Sequence, residues 1–292
     1  RGPIGNIAPS LLPVAHALVA AREETEAAVR GLAASQIWIE PAGADLWVYD
    51  LARGARTRLT FSPEPDAMPV WSPAGDRIAF MVGGSLASFV IWWKAADGTG
   101  QPQELVKGFA PSFSPDGKFL LYTSLKDANT WNLGYLPLSG ERKPAIFLES
   151  ADRKQSPRVS PDGQYVAYMS TESGREEIYL TRFPTGDGKW QVSVNGGFWP
   201  HWSAKGDRLF YTEPDNTLVE VEVRLRPAVQ LGAPRRLFAR QRSGAPVPGG
   251  WPDGFDVAPD GTRFVVAQGA DQRGPASITV VEGWYQEFRG RR

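Results

Sequence analysis

Residues 69 to 80 read PVWSPAGDRIAF, and the pattern returns four more times along the 292-residue chain. Residues 111 to 122 give PSFSPDGKFLLY, 157 to 168 PRVSPDGQYVAY, 200 to 211 PHWSAKGDRLFY and 255 to 266 FDVAPDGTRFVV. The glycines of these copies, Gly75, Gly117, Gly163, Gly206 and Gly261, are 42, 46, 43 and 55 residues apart. In four of the five copies a Pro-x-Gly element reads as a turn, because proline fixes φ at the first corner and glycine accepts a positive φ; the copy at 200–211 has Ala204 in place of the proline and keeps the glycine. The turn therefore joins two antiparallel strands. Apolar residues (Trp71, Phe113, Val159, Trp202, Val257) precede the turn, and apolar runs such as Ile78 to Val82 and Leu209 to Tyr211 follow it.

A third strand follows in every copy, at 90–93, 133–136, 177–183, 218–223 and 278–282. A shorter fourth closes four of them, at 103–106, 145–148, 190–193 and 236–238. Four strands recurring at this spacing are the mark of a β-propeller blade. Ahead of the first full copy, residues 45 to 61 (DLWVYDLARGARTRLTF) match the third and fourth strands of a blade lacking its first two. The expectation is an all-β chain: a six-bladed propeller of four-stranded antiparallel blades over 36–292, the first blade irregular. Propellers commonly close by letting one terminus complete a blade begun by the other, and the strand QIWIE, Gln36 to Glu40, or another N-terminal strand is a candidate for this.

Residues 1 to 35 stand outside the repeat and read as a helical or linker segment. Leu11 to Ala21 is apolar but too short to span a membrane, and the following REETEAAVRGLAA has helical composition. A signal peptide is the competing reading; the single charge Arg1 ahead of the apolar stretch favours the helix.

Composition narrows the function. With 32 basic and 32 acidic residues and no block of like charge, nothing drives binding to nucleic acid or insertion into an anionic membrane. No cysteine is present, so disulfides, thiolate metal sites and cysteine nucleophiles are excluded, and two histidines cannot make a polyhistidine metal site. Gly (31) and Pro (25) form about a fifth of the chain, while 11 Trp and 14 Phe require a solid core. No G-x-S-x-G, S-x-x-K, H-E-x-x-H or P-loop motif occurs; Gly83 to Ala87 only approaches the first. Neither a cofactor nor a metal is expected.

The repeat motif, the 45–61 segment, the stretch GDGKWQV at 186–192 and the closing FDVAPDGTRFVVAQ and SITVVEGWYQEF together resemble the TolB-type propeller. They are most similar to the propeller on the C-terminal side of some bacterial transmembrane serine/threonine kinases, and the resemblance runs over residues 45 to 288. It implies a non-enzymatic binding or sensing module in the periplasm or otherwise outside the cytoplasm, fused to or associated with a membrane-bound kinase. Two other roles share this fold: the gate of a prolyl oligopeptidase or dipeptidyl peptidase type serine peptidase whose catalytic domain lies outside this chain, and a propeller enzyme acting on a small ligand or glycan.

A protein or peptide partner is expected at the mouth of the central channel, where loops carried over from each preceding blade enter the innermost strands. Phe109, Phe198, Trp199 and Trp251 are the aromatic candidates there, with Asp66, Arg153, Lys154 and Asp253 as charged ones. Each also has a plainer reading, in which the aromatics merely cap the blades. His201 sits in a variable motif column (Val70, Ser112, Arg158, Asp256) and is a candidate polar contact deeper in the channel; an ordinary hydrogen-bonded histidine beside Trp202 is the plainer explanation. Asp116, Asp162 and Asp260 read as turn residues rather than metal ligands.

Overall fold

The computed structural model describes residues 35–40, 45–50, 55–239, 255–257, 264–268 and 277–281. The expected N-terminal helix, Asp260 and the candidates Trp251 and Asp253 lie outside these residues. The described chain is almost entirely β, with one 3-10 turn at Leu86–Ser88.

Its strands form six antiparallel sheets. The first holds β1 (Ser35–Glu40), β2 (Asp45–Asp50) and β3 (Ala55–Arg58). The second holds β4 (Asp66–Trp71), β5 (Arg77–Val82), β6 (Val90–Ala95) and β7 (Gln103–Lys107); the third β8 (Phe109–Phe113), β9 (Phe119–Leu125), β10 (Trp131–Pro137) and β11 (Ala145–Leu148). The fourth holds β12 (Lys154–Val159), β13 (Tyr165–Ser170), β14 (Glu177–Arg182) and β15 (Lys189–Gln191). The fifth comprises β16 (Phe198–Trp202), β17 (Arg208–Thr212), β18 (Thr217–Arg224), β19 (Gln230–Leu231) and β20 (Arg235–Ala239); the sixth β21 (Phe255–Val257), β22 (Phe264–Gln268) and β23 (Ser277–Val281). Strands pair in chain order, as the short turns between them dictate, and each sheet is a meander. The fifth has a broken outer strand: β19 and β20 both pair β18, with Gly232 to Pro234 between them, and a proline has no N–H to carry the ladder on.

The initial strands β4, β8, β12, β16 and β21 are neighbours in succession, so the sheets fan out like blades from a common axis. Between them lie the cores. Phe113, Leu120 and Tyr122 of the third sheet pack on Ala79, Ile91 and Trp93 of the second. Leu121 and Leu133 meet Val166, Tyr168 and Tyr179 of the fourth, and Tyr165, Ile178 and Leu180 meet Tyr211, Val219 and Val221 of the fifth. Trp71, Trp202, Phe113 and Tyr122 are packing residues between blades, as their motif positions imply.

QIWIE has a different place from the one expected. It pairs with β2 in continuous register from Ser35↔Asp50 to Glu40↔Asp45, and so belongs to the first sheet rather than the sixth. Its short apolar run, Ile37 to Ile39, suits either position, and only a four-residue link separates it from β2.

Candidate functional site

In a meander every strand reverses direction, so alternate connections lie on opposite faces. One face carries the repeated motif turns. There Ser72, Ser114, Ser160 and Ser203 each accept a bond from the backbone N–H five residues on, at 2.9 to 3.1 Å. Each hydroxyl also donates to an aspartate: Asp76, Asp116, Asp162 or Asp207, at 2.6 to 2.8 Å. Asp116 is held below the usual carboxylate range by the Ser114 hydroxyl and the Lys118 N–H. These turns satisfy themselves. The other face collects the links that enter the inner strands, which is where the sequence places its candidates.

The inner strands share a feature that the motif reading missed. Met68, Ala110, Ser156 and Trp199 all adopt left-handed backbone, with φ from 51° to 57°. Each immediately precedes the motif proline (Pro69, Pro111, Pro157, Pro200), and each falls at a register shift against the second strand. A bulge of this kind inserts one extra residue and turns the strand. The signal available was the proline at the same place in four copies, since a proline within a paired strand marks an edge or a bulge.

Around these bulges the candidates separate. Phe109 is wholly buried, with edge-on contacts to Phe89 at 5.8 Å and Trp131 at 5.4 Å. Phe198 is half-buried against the core between the fourth and fifth sheets, and Trp199 is 9% exposed. Arg153 lays its guanidinium over the Trp131 ring, 4.6 Å from the centroid, and reaches Asn129 at 3.5 Å. Lys154 is enclosed: its Nζ donates to Ser150 Oγ at 2.7 Å and lies 3.5 Å from Glu172. Glu172 also pairs with Lys189 at 2.8 Å, and this carboxylate raises the Lys189 pKa. Glu172, Lys189, Asp152, Tyr179 and Gln191 line an open cleft of about 480 Å³. His201 turns towards the sixth sheet, its ring 4.5 Å from that of Phe255 and its Nδ1 3.9 Å from Asp256.

Asp66 is fully buried, and neither carboxylate oxygen has a hydrogen-bond partner. Burial pushes its pKa up to about 6; Thr60 and Arg58 oppose the shift and Asp45 adds to it. Among the described residues no group of three or more His, Asp or Glu could hold a metal ion, and no helix is long and apolar enough to cross a membrane.

No family model matches the chain. Over 114 residues it is 36% identical to the Tol-Pal system protein TolB of Alcanivorax borkumensis, a stretch covering 37% of this chain and 25% of that protein. The structure of TolB from Acinetobacter baumannii superposes with a TM-score of 0.64 at 21% identity, over 86% of this chain and 61% of that one. The fold is a TolB-like β-propeller. A puromycin-hydrolyzing peptidase of Mycobacterium tuberculosis shares it, with a TM-score of 0.56 at 19% identity over 85% of this chain and 42% of that one. This chain thus spans a quarter of the curated TolB relative and less than two thirds of either solved protein.

Proposed function

We propose that the chain is a six-bladed, non-enzymatic propeller that binds a protein or peptide partner on the face where its inner strands begin. The reading places it outside the cytoplasm, joined to or associated with a membrane-bound kinase; that part rests on the sequence resemblance. The observation that carries the binding face is the contrast between the two ends of the blades. One end is closed by serine–aspartate turns that use up their own polar groups. The other holds Arg153, just ahead of β12, and Phe198 and Trp199, which begin β16, so that two different sheets contribute to it; Trp251 and Asp253, outside the described residues, are assigned to it from the sequence alone. Phe109, Lys154 and Asp66 are enclosed, and in this reading they shape the face rather than touch the partner.

The test is capture of partners from an envelope extract with this chain as bait, followed by titration of the captured partner. Phe198→Ala and Trp251→Ala are compared with Asp116→Ala and Asp162→Ala, with folding checked in each. Removing a buried interface aromatic costs about 2 kcal/mol, or roughly thirtyfold in affinity. Binding lost in the turn variants and kept in both aromatic variants puts the site on the opposite face. The peptidase likeness supports a second reading, a propeller that gates a separate hydrolase domain. A hydrolase domain encoded next to this segment would decide for it.

A further inference from the structure

We infer that Asp66 is a proton-operated clasp between the first and second sheets: protonated, it holds the first sheet docked, and ionised, it loosens that hold. Asp66 is the first residue of β4 and pairs with Val82 of β5. It is 0% exposed at the joint where β1 and β2 meet β4. The groups around it offset a charge only in part: Thr60 and Arg58 favour the ionised form, and burial outweighs them. Asp45 of β2 is itself buried; one of its oxygens is paired with Arg58 at 2.5 Å and the other has no partner. Arg58 is already committed, through Nη2 to Asp45, through Nε to the Thr60 carbonyl at 3.0 Å, and by stacking over Phe61 at 4.5 Å.

The Thr60 hydroxyl accepts the Leu46 N–H at 2.9 Å. On β1, Glu40 stands opposite Asp45 in the ladder. Of the remaining neighbours, β8 (FAPSF) has no titratable residue, Arg77 lies at the far end of β5, and Glu64 on the preceding turn is exposed. Ionised Asp66 would therefore face a like charge with only the Thr60 hydroxyl proton and the already committed Arg58 to offset it, and burial outweighs both. Among the described residues, release is opposed by the apolar cluster in which Leu46 and Leu59 meet Ile78 and Phe80, and by the bond from Lys94 Nζ to the Leu59 carbonyl at 2.9 Å.

The direction follows from linkage. A carboxyl whose pKa is about 6 when docked and 3.8 when exposed binds its proton more tightly in the docked state. Docking is then strongest in acid and weakens as pH rises through both values.

Backbone hydrogen exchange of the whole chain tests this, with the intrinsic pH dependence of exchange divided out. Between about pH 5 and pH 8 the opening constant of the β1–β3 amides should rise about tenfold, while amides of the third to fifth sheets stay flat. Asp66→Asn should abolish the rise. Asp45→Asn, which removes the facing charge and frees Arg58, should reduce it, and it serves as the second variant if Asp66→Asn folds poorly. A flat profile in the wild type overturns the clasp, as does a rise that persists in Asp66→Asn or one that is equal in every sheet. Loss of the rise on adding calcium chloride would make a bound cation the neutralising agent and overturn the proton mechanism.

Discussion

Serine organises the repeated turn at least as much as aspartate does. The aspartate stands before the glycine in two of the described turns (Asp116, Asp162) and after it in the other two (Asp76, Asp207), yet the serine hydroxyl reaches it every time. Ser160 is fully buried and serves both Asp162 and the Tyr165 N–H. Ser160→Ala should cost about 1–2 kcal/mol by urea denaturation, because it leaves a buried N–H unpaired. Phe109 provides a contrast at the same scale. Its environment is the apolar cluster with Met81, Phe89 and Trp131, so Phe109→Ala should cost about 3–5 kcal/mol of stability whether or not a partner is present. A denaturation midpoint unchanged in Phe109→Ala would return that residue to the surface.

At the scale of elements, two glycines with the same freedom of φ have unequal roles. Gly117 in a motif turn has φ of 69° and open space where a Cβ would stand. Gly108, the single residue linking β7 to β8, has φ of 142°, and a Cβ there would lie 2.3 Å from the Thr123 carbonyl oxygen. Gly117→Ala should cost about 1–2 kcal/mol, the left-handed penalty alone. Gly108→Ala should cost more than about 3 kcal/mol, because backbone must move, and thermal denaturation of the pair measures the difference. The first sheet makes a prediction of its own. Deleting residues 1–44 removes β1 and bares the edge of β2, so the shortened chain should associate. Light scattering after size exclusion reads this, and a monomer with unchanged melting would deny β1 its structural role.

Across the whole molecule, acidic and basic residues balance at 32 each, so no global charge governs stability and single buried groups stand out. Asp66 is one. Its folded pKa, raised from 3.8 to about 6, means that its contribution favours the folded state fully below about pH 4 and is lost as pH rises past 6. The loss amounts to up to about 3 kcal/mol. Urea denaturation across this range should show wild-type stability falling, and Asp66→Asn should flatten the profile. A wild type that gains stability over the same interval would contradict the assignment.

The strands, their turns and the four-strand repeat were determined by sequence alone, since each depends on neighbours within about ten residues: a proline, a glycine, an alternation of apolar side chains. PVWSPAGDRIAF and its copies carry that information locally. Which way a side chain faces near the axis was decided only by the tertiary structure. The bulges at Met68, Ala110, Ser156 and Trp199 add one residue to each inner strand, and this breaks the alternation from which the orientation of Phe109, Lys154 or His201 would be read. Burial of Asp66 against Asp45, and the enclosure of Lys154 by Ser150 and Glu172, likewise come from packing between segments that the spacing of the repeat does not relate. The placement of QIWIE shows the same limit. Its own pattern fits a strand in either terminal blade, and pairing with β2 settles which.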